Sequence, residues 1–381
     1  MNDMQWTPPP PLNTSASMLV FGESGDAKCL GKGTPVLRYD GHIVPVEEVK
    51  EGDLLMGVGG PRRVLSTTSG EGPLYLIRPV KGTPWVCNEN HILTLVSCVD
   101  GTIIDIPLPV WLEKSKTFKS IYKQVSTGVR FAEQSEPLPV DPYFLGLWFG
   151  DGTREKYNGD LRGVAITKPD PEVRQTCEDV AARWGLHVTE TTNASGCPTF
   201  KLTTGVPGRE NPLLEAIRSL IGQNLDVPHS YLTASPENRR AFLAGWLDAD
   251  GSLQHGVYNF AQKRKAWADA VAFLARSLGL RATQSEFEVA PHGIFHRVTI
   301  SGGMEALPLR IPRKKPGPRK QIKDVRRTGI TVELLGHGEI YGFELDGDGR
   351  FLLGDFTVTH NSTQCALAAL WVAQKYRLRT R

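Results

Sequence analysis

Two apolar segments of this chain share a pattern that leaves few ways to fold. Residues 141–152 read Asp-Pro-Tyr-Phe-Leu-Gly-Leu-Trp-Phe-Gly-Asp-Gly, and residues 240–251 read Arg-Ala-Phe-Leu-Ala-Gly-Trp-Leu-Asp-Ala-Asp-Gly. Aligned on Asp151 and Asp250, they lie 99 residues apart. Each predicts an apolar helix with small residues four apart, Gly146/Gly150 and Gly245/Ala249. Residues four apart share one helix face, so each helix has a flat side where another backbone can come close. Each ends in Asp-Gly, the Gly suiting a left-handed cap. A carboxylate at a helix C-terminus is unfavourable by roughly 0.3–1 kcal/mol, and two brought together by packing repel further. A divalent cation relieves both, which makes Asp151 and Asp250 candidate metal ligands. Two core helices with ordinary caps are the competing reading. An EF-hand at Asp248-Ala-Asp250-Gly251 is excluded, because Trp246 stands at its first ligand position.

A second pattern spans the chain. Phe21-Gly22-Glu23-Ser24-Gly25-Asp26-Ala27-Lys28 reads as a phosphate-binding loop cut off after its Lys, and the next residue is Cys29. Near the other end stands His360-Asn361-Ser362-Thr363. Joining Lys28 to Ser362 completes the loop, so residues 29–361 read as a removable insertion. Gly22, Gly25, Lys28, Ser362 and Thr363 would then hold ATP in the rejoined host. The chemistry for removal is present at the junctions. Asn361 can cyclise on its own carbonyl and break the chain, His360 can protonate the leaving amide, and Ser362 is a nucleophile beyond the cut. Ala27 replaces the last glycine of the loop, and its Cβ would crowd a phosphate. The flanks leave 48 residues (381 less 333), the start of an ATPase domain rather than a whole one.

From Cys29 to about Asp105, short apolar alternations broken by Gly, Pro and Asp predict a small all-β region. It contains Cys87-Asn88-Glu89-Asn90-His91. His91 can orient and protonate the Lys28–Cys29 amide during an N-to-S acyl shift, or it is a satisfied turn histidine. These features resemble an intein, the self-splicing family with the Hint fold. The resemblance rests on Cys29 with Leu-Gly-Lys-Gly-Thr-Pro after it, on Asn88 and His91, and on residues 338–362. It implies thioester formation at Cys29, transfer to Ser362, cyclisation of Asn361 helped by His360, and an O-to-N shift. It departs from the family pattern at Asn88, where Thr is usual, and at Gly342, where a catalytic Asp is frequent.

The repeated helices resemble those of LAGLIDADG homing endonucleases, often nested in inteins. Each is followed by a strand and a helix ending alike, Arg183-Trp-Gly-Leu-His and Arg276-Ser-Leu-Gly-Leu-Arg. The resemblance implies a saddle of two sheets over double-stranded DNA, with Mg²⁺ held by Asp151 and Asp250. Lys168 and Lys263 are candidate assisting lysines. Leu225, three residues before Pro228, stands where that family often has Lys.

The expected architecture is therefore α+β and multidomain. An all-β, horseshoe-shaped Hint splicing domain is interrupted by an α/β saddle-shaped, two-repeat endonuclease domain. The expected divisions are 1–28 as the N-terminal host flank, 29–130 and 323–361 as the two splicing parts, 131–322 as the endonuclease and 362–381 as the C-terminal flank. The DNA partner is the insertion-free host gene, and the protein is expected to act as a monomer with pseudo-two-fold symmetry. Arg310 to Arg327 carries nine positive charges and one negative, read either as phosphate contacts or as a solvated linker. Asp346-Gly-Asp-Gly349 reads as a hairpin turn. Six cysteines without metal spacing, no basic leader and no membrane-length apolar run lead to a cytoplasmic expectation without a membrane partner. Two alternatives remain: a homing endonuclease whose splicing has decayed, and an ATP-binding fragment.

Overall fold

The computed structural model describes residues 28–361 except 133, 135, 158, 159, 194 and 319–322. Gly22, Gly25, Ser362 and Thr363 lie outside the described residues.

The sequence-distant ends of the segment 29–361 meet in one sheet. Strand Gly60–Pro79 runs antiparallel to strand Ile330–Leu345, from Pro79 opposite Ile330 to Val64 opposite Leu345. The register slips at Leu334/Gly336 and Glu344/Leu345, and such bulges sharpen the twist of a long ribbon. Leu30 pairs with both Tyr341 and Cys87, and His360 pairs with Ile92, so the residues next to Cys29 and Asn361 at the two ends of the segment are sheet residues. Inward-facing Leu30, Val36, Leu55, Val64, Ile77, Leu93, Leu95, Phe343 and Phe351 form the core beneath it.

Two helices interrupt the region expected to be all β. Helix α1 (Leu108–Glu113) starts with Pro at its first turn and buries Leu108 and Trp111. Helix α2 (Lys116–Ile121) is capped by Ser115, whose side chain accepts from Phe118 N. Both follow helix-start chemistry that strand alternation upstream had masked. The chain leaves the sheet at Val125 and re-enters at Arg327, and these two residues pair with each other. The excursion between them is thus a closed loop able to carry its own core.

That excursion contains α3 (Pro142–Asp151), α4 (Pro171–Trp184), α5 (Pro212–Ile221), α6 (His229–Leu232), α7 (Pro236–Asp250) and α8 (Lys265–Ser277). Its two halves each carry an antiparallel sheet. In the first, strand Pro198–Thr203 lies between Val164–Thr167 and His187–Thr192. In the second the order is Ser252–Gln254, Val257–Gln262, Gly293–Ser301, Arg281–Val289. Gly185 (φ 65) ends α4, and Gly279 (φ 79) follows α8, the equivalent place in the other half. The molecule is mixed α/β. Arg281 spans the junction, its Nε donating to Val325 O at 2.7 Å and its Nη1 to Lys81 O at 2.9 Å. No helix among the described residues is long and apolar enough to cross a membrane.

Candidate functional site

Helices α3 and α7 are apolar on nearly every face, with Phe144, Leu147 and Trp148 buried on one and Phe242, Trp246 and Leu247 on the other. A helix of that kind belongs at a centre, not on a surface. The two pack on each other backbone to backbone. A Cβ added to Gly146 would lie 2.1 Å from Phe242 O, and one added to Gly245 would lie 1.9 Å from Tyr143 O. The contacts are reciprocal under the repeat. Gly150 completes the approach, since its added Cβ would lie 2.1 Å from Ala249 Cβ and 3.3 Å from Asp250 Cγ.

This packing brings Asp151 and Asp250, the last residues of α3 and α7, to the same end of the pair. The glycines after them are not left-handed: Gly152 has φ −76° and Gly251 φ −71°. Glycine is required there by crowding. A Cβ on Gly152 would meet Trp148 O at 2.3 Å, and one on Gly251 would meet Leu247 O at 2.6 Å.

Nitrogen donors answer the unfavourable charge at these helix ends. Lys168 Nζ donates to Asp151 Oδ2 at 2.5 Å and to Ala249 O at 3.0 Å. Gln262 Nε2 donates to Asp250 Oδ2 at 2.6 Å. Arg154 donates to the carbonyls of Phe149 and Gly150 at the end of α3. Lys314 Nζ donates to Leu247 O, Asp248 O and Ala249 O at the end of α7. Each helix dipole thus ends on a cation. Burial, then the charge of Asp151, raises the Asp250 carboxyl, against Gln262, Arg154 and Lys168. Burial, then Lys168 and Arg313, lowers Lys314 to about 8.

Asp151 and Asp250 are hard oxygen donors that fit Mg²⁺, which is held by one or two carboxylates and keeps water or phosphate oxygens elsewhere. The raised carboxyl of Asp250 beside Asp151 is the electrostatic mark of a site that a cation would relieve. No group of three or more His, Cys, Asp or Glu that could hold a metal lies among the described residues.

Of the two lysines singled out in the sequence, Lys168 is in this site. Lys263 is exposed, and its neighbour Gln262 makes the contact to Asp250. Gln262 is the last residue of strand Val257–Gln262, and Lys263 lies just beyond it. Leu225 is buried. The start of the basic stretch, residues 310–314, is neither a free linker nor a free phosphate surface. Arg313 forms a two-bond pair with Asp170, and Arg310 lies over the Tyr143 ring at 4.0 Å. Asp248 anchors the stretch by accepting from Tyr143 Oη at 2.6 Å and Arg310 N at 2.7 Å.

The second cluster forms where the ends of 29–361 converge. Cys29 N donates to Asn88 Oδ1 at 3.0 Å, and Asn88 N donates to Cys29 O at 3.0 Å. His91 is buried, and its Nε2 is 2.7 Å from Thr359 Oγ1, the residue before His360. His91 Nδ1 has no hydrogen-bond partner among the described residues. Burial, then His360 and Lys28, lowers His91 to about 3, so its ring is neutral; the backbone of Cys29 opposes this. Burial pushes the Cys29 thiol up to about 12. Gly342 lies against it, since an added Cβ would be 2.7 Å from Cys29 Sγ and 3.0 Å from Lys28 O.

Asn361 is buried, and its N donates to Gly349 O at 2.8 Å. Gly349 (φ 70) faces both junction residues: an added Cβ would lie 2.5 Å from Asn361 O and 3.3 Å from His360 Nε2. Burial lowers His360 as well. Cys29, Asn88, His91, His360 and Asn361, with Lys28, therefore share one buried site. The turn at Asp346-Gly-Asp-Gly349 has its carboxylates engaged, Asp346 by Arg63 N and Asp348 by Arg62.

A family model described as "LAGLIDADG-like domain" matches residues 237–307, which include α7 with Asp250. Residues 237–307 thus resemble a LAGLIDADG-like domain. The chain is similar to the replicative DNA helicase DnaB of Mycobacterium intracellulare, at 32% identity over 91% of this chain and 61% of the relative. It is also similar to the homothallic switching endonuclease of Saccharomyces cerevisiae, at 24% identity over 62% of this chain and 46% of the relative. The chain thus spans less than two thirds of either relative. Among solved structures, I-DmoI in complex with DNA and Ca matches with a TM-score of 0.33 and 17% identity, over 46% of this chain and 94% of that one.

Sequence reasoning missed Arg154, Gln262, Lys314 and Gly349 in these sites. Arg154 and Gln262 follow their aspartates by three and twelve residues, a spacing without meaning until the strand is placed. Lys314 was legible only as one charge in a basic run.

Proposed function

We propose that residues 29–361 excise themselves and that the excursion within them is a site-specific endonuclease for double-stranded DNA, cytoplasmic in setting. The convergence of Cys29, Asn88, His91, His360 and Asn361 in one buried site supports the first part. Cys29 Sγ attacks the Lys28 carbonyl carbon, the C–N bond breaks, and the amide nitrogen leaves as an amine. Asn88 holds the Cys29 amide, and neutral His91 stands by to pass a proton. Ser362 Oγ then displaces Cys29 from the thioester. Asn361 Nδ2 attacks its own carbonyl, the bond to Ser362 N breaks, and His360 gives that nitrogen a proton. The freed amine of Ser362 takes the acyl group from its own oxygen, joining Lys28 to Ser362. The rejoined loop would bind ATP through the host's own glycines and Lys28.

The opposed Asp151 and Asp250 at the end of α3 and α7 support the nuclease. Mg²⁺ bound there would activate water and stabilise a leaving oxygen. Lys168 and Gln262 hold the two carboxylates in place, and Arg154 and Lys314 neutralise the helix ends behind them. The nuclease reading is tested on the insertion-free host sequence with magnesium. Double-strand cleavage lost in Asp250→Asn is expected, and intact DNA with the parent protein overturns it.

A second reading, a nuclease whose splicing has decayed, is favoured by Gly342. No side chain at that position can draw the proton from a thiol pushed up to about 12. A chain that cleaves DNA but stays uncut at both junctions would establish it.

A further inference from the structure

The Asn361 end of the second cluster holds an ion pair that the steps above do not use. Arg350 stands directly opposite His360 across strands Arg350–Leu352 and Val358–His360, and directly opposed residues share a sheet face. Arg350 Nη2 donates to Asp105 Oδ2 at 2.6 Å. Asp105 Oδ1 accepts from Thr94 Oγ1 at 2.7 Å, and Thr94 and Asp105 are themselves cross-strand partners. The carboxylate is thereby held at both oxygens. Among the described residues, His360 Nδ1 and Arg350 Nε are both buried without a hydrogen-bond partner. On the other side of the ring, Gly349 leaves its Nε2 and the Asn361 carbonyl facing one small space.

We propose that Asp105, acting through Arg350, is a positioning residue for His360 in the Asn361 step, fixing the guanidinium beside the imidazole and so setting how readily His360 carries its proton. The inference rests on the splicing reading. In that step Asn361 Nδ2 loses one proton on forming the imide, and Ser362 N gains one as its bond to Asn361 breaks. His360 must hold a proton to deliver. The charged groups around it are Asp105 on strand Ile103–Pro107, Arg350 and Asp348 at the hairpin, Lys28 at the first junction and His91 at the turn before Ile92. Burial works most against the protonated ring, then Arg350 and Lys28; Asp105 and Asp348 favour it. Without Asp105, Arg350 would keep only Asp348, 3.8 Å away and already paired with Arg62 at 3.0 Å, and would be a net opponent of the reaction. Paired with Asp105, it is a neutral prop.

The test uses the full chain, with release of residues 362–381 followed by mass spectrometry as a function of pH. Thiol-induced release of residues 1–28 reports an intact first junction. Asp105→Asn is expected to move the upper pH limb of Asn361 cleavage down by about one unit. Arg350→Met is expected to move it up. A purely structural role would slow both variants without opposite shifts. Should Asp105→Asn fail to fold, Asp105→Glu decides: a profile close to the parent's supports the proposal, and one displaced with thiolysis intact overturns it. Shifts in the same direction, or none, with thiolysis retained, also overturn it. If the parent releases neither peptide, the splicing reading fails and this inference with it.

Discussion

The amide of Cys29 donates to Asn88 Oδ1 at 3.0 Å, while the amide of Asn88 donates back to the Cys29 carbonyl at 3.0 Å. Cys29, the first residue of the segment proposed to excise itself, is thus clamped to strand Trp85–Asn88, which leads to His91. Asn88→Ala removes one buried hydrogen bond to the amide that must leave. The expected fall in the first step is roughly ten-fold, equivalent to about 1.4 kcal/mol of a hydrogen bond. Thiol-induced release of residues 1–28, timed in an Asn361→Ala background, measures it. An unchanged rate would remove Asn88 from the mechanism.

Gly146→Ala should weaken the excursion without touching the junctions. The added methyl would lie 2.1 Å from a backbone carbonyl, so α3 and α7 must separate. Overpacking of this kind costs about 1–3 kcal/mol. Denaturant unfolding measures the loss, and Gly245→Ala should match it, because the contact is reciprocal. A neutral result at both positions would mean the helices do not pack backbone to backbone.

Asp250 couples stability to pH. Its folded carboxyl is raised above its ordinary value of 3.8, first by burial and then by Asp151. The folded state therefore holds the proton more tightly than the unfolded state. The associated stability is present below the ordinary value and is lost as pH rises through the raised one. Asp250→Asn is expected to raise the melting temperature at neutral pH, with the gain shrinking as pH falls into the ordinary carboxylate range. Magnesium should stabilise the parent and lose most of its effect in the variant. Equal melting temperatures at neutral pH would contradict the repulsion between Asp151 and Asp250.

Lys314→Met tests the seat beneath α7. The substitution leaves three carbonyls at the helix end without their donor, a loss of about 1–3 kcal/mol. Calorimetry should show it, and Lys315→Met, at an exposed neighbour, should be close to neutral. Equal effects would mean that the basic stretch acts only as bulk charge.

What the residues announced, and what they hid, divides along a physical line. The small residues at 146, 150, 245 and 249 announce a backbone contact, because only small side chains permit one. Cys29 and Asn361 are legible as candidates, since reactive residue types stand at both ends of one segment. The role of Lys314 was illegible, because it depends on Asp248 capturing the amide of Arg310, a contact 62 residues away in the chain. The Asp-Gly pattern predicts left-handed caps at Gly152 and Gly251, yet crowding by their own helices is what excludes a side chain. Gly349 hid behind a turn signal. Nothing local tells that a turn glycine will face a histidine ring brought in from another strand.

The most direct measurement is a gel and mass analysis of the chain expressed between longer foreign flanks. The account predicts two products from the parent, the flanks joined through Lys28–Ser362 and a free segment of residues 29–361. The Cys29→Ala, Asn361→Ala double variant should stay at full length. A parent that also remains one uncut band would contradict the account at its centre.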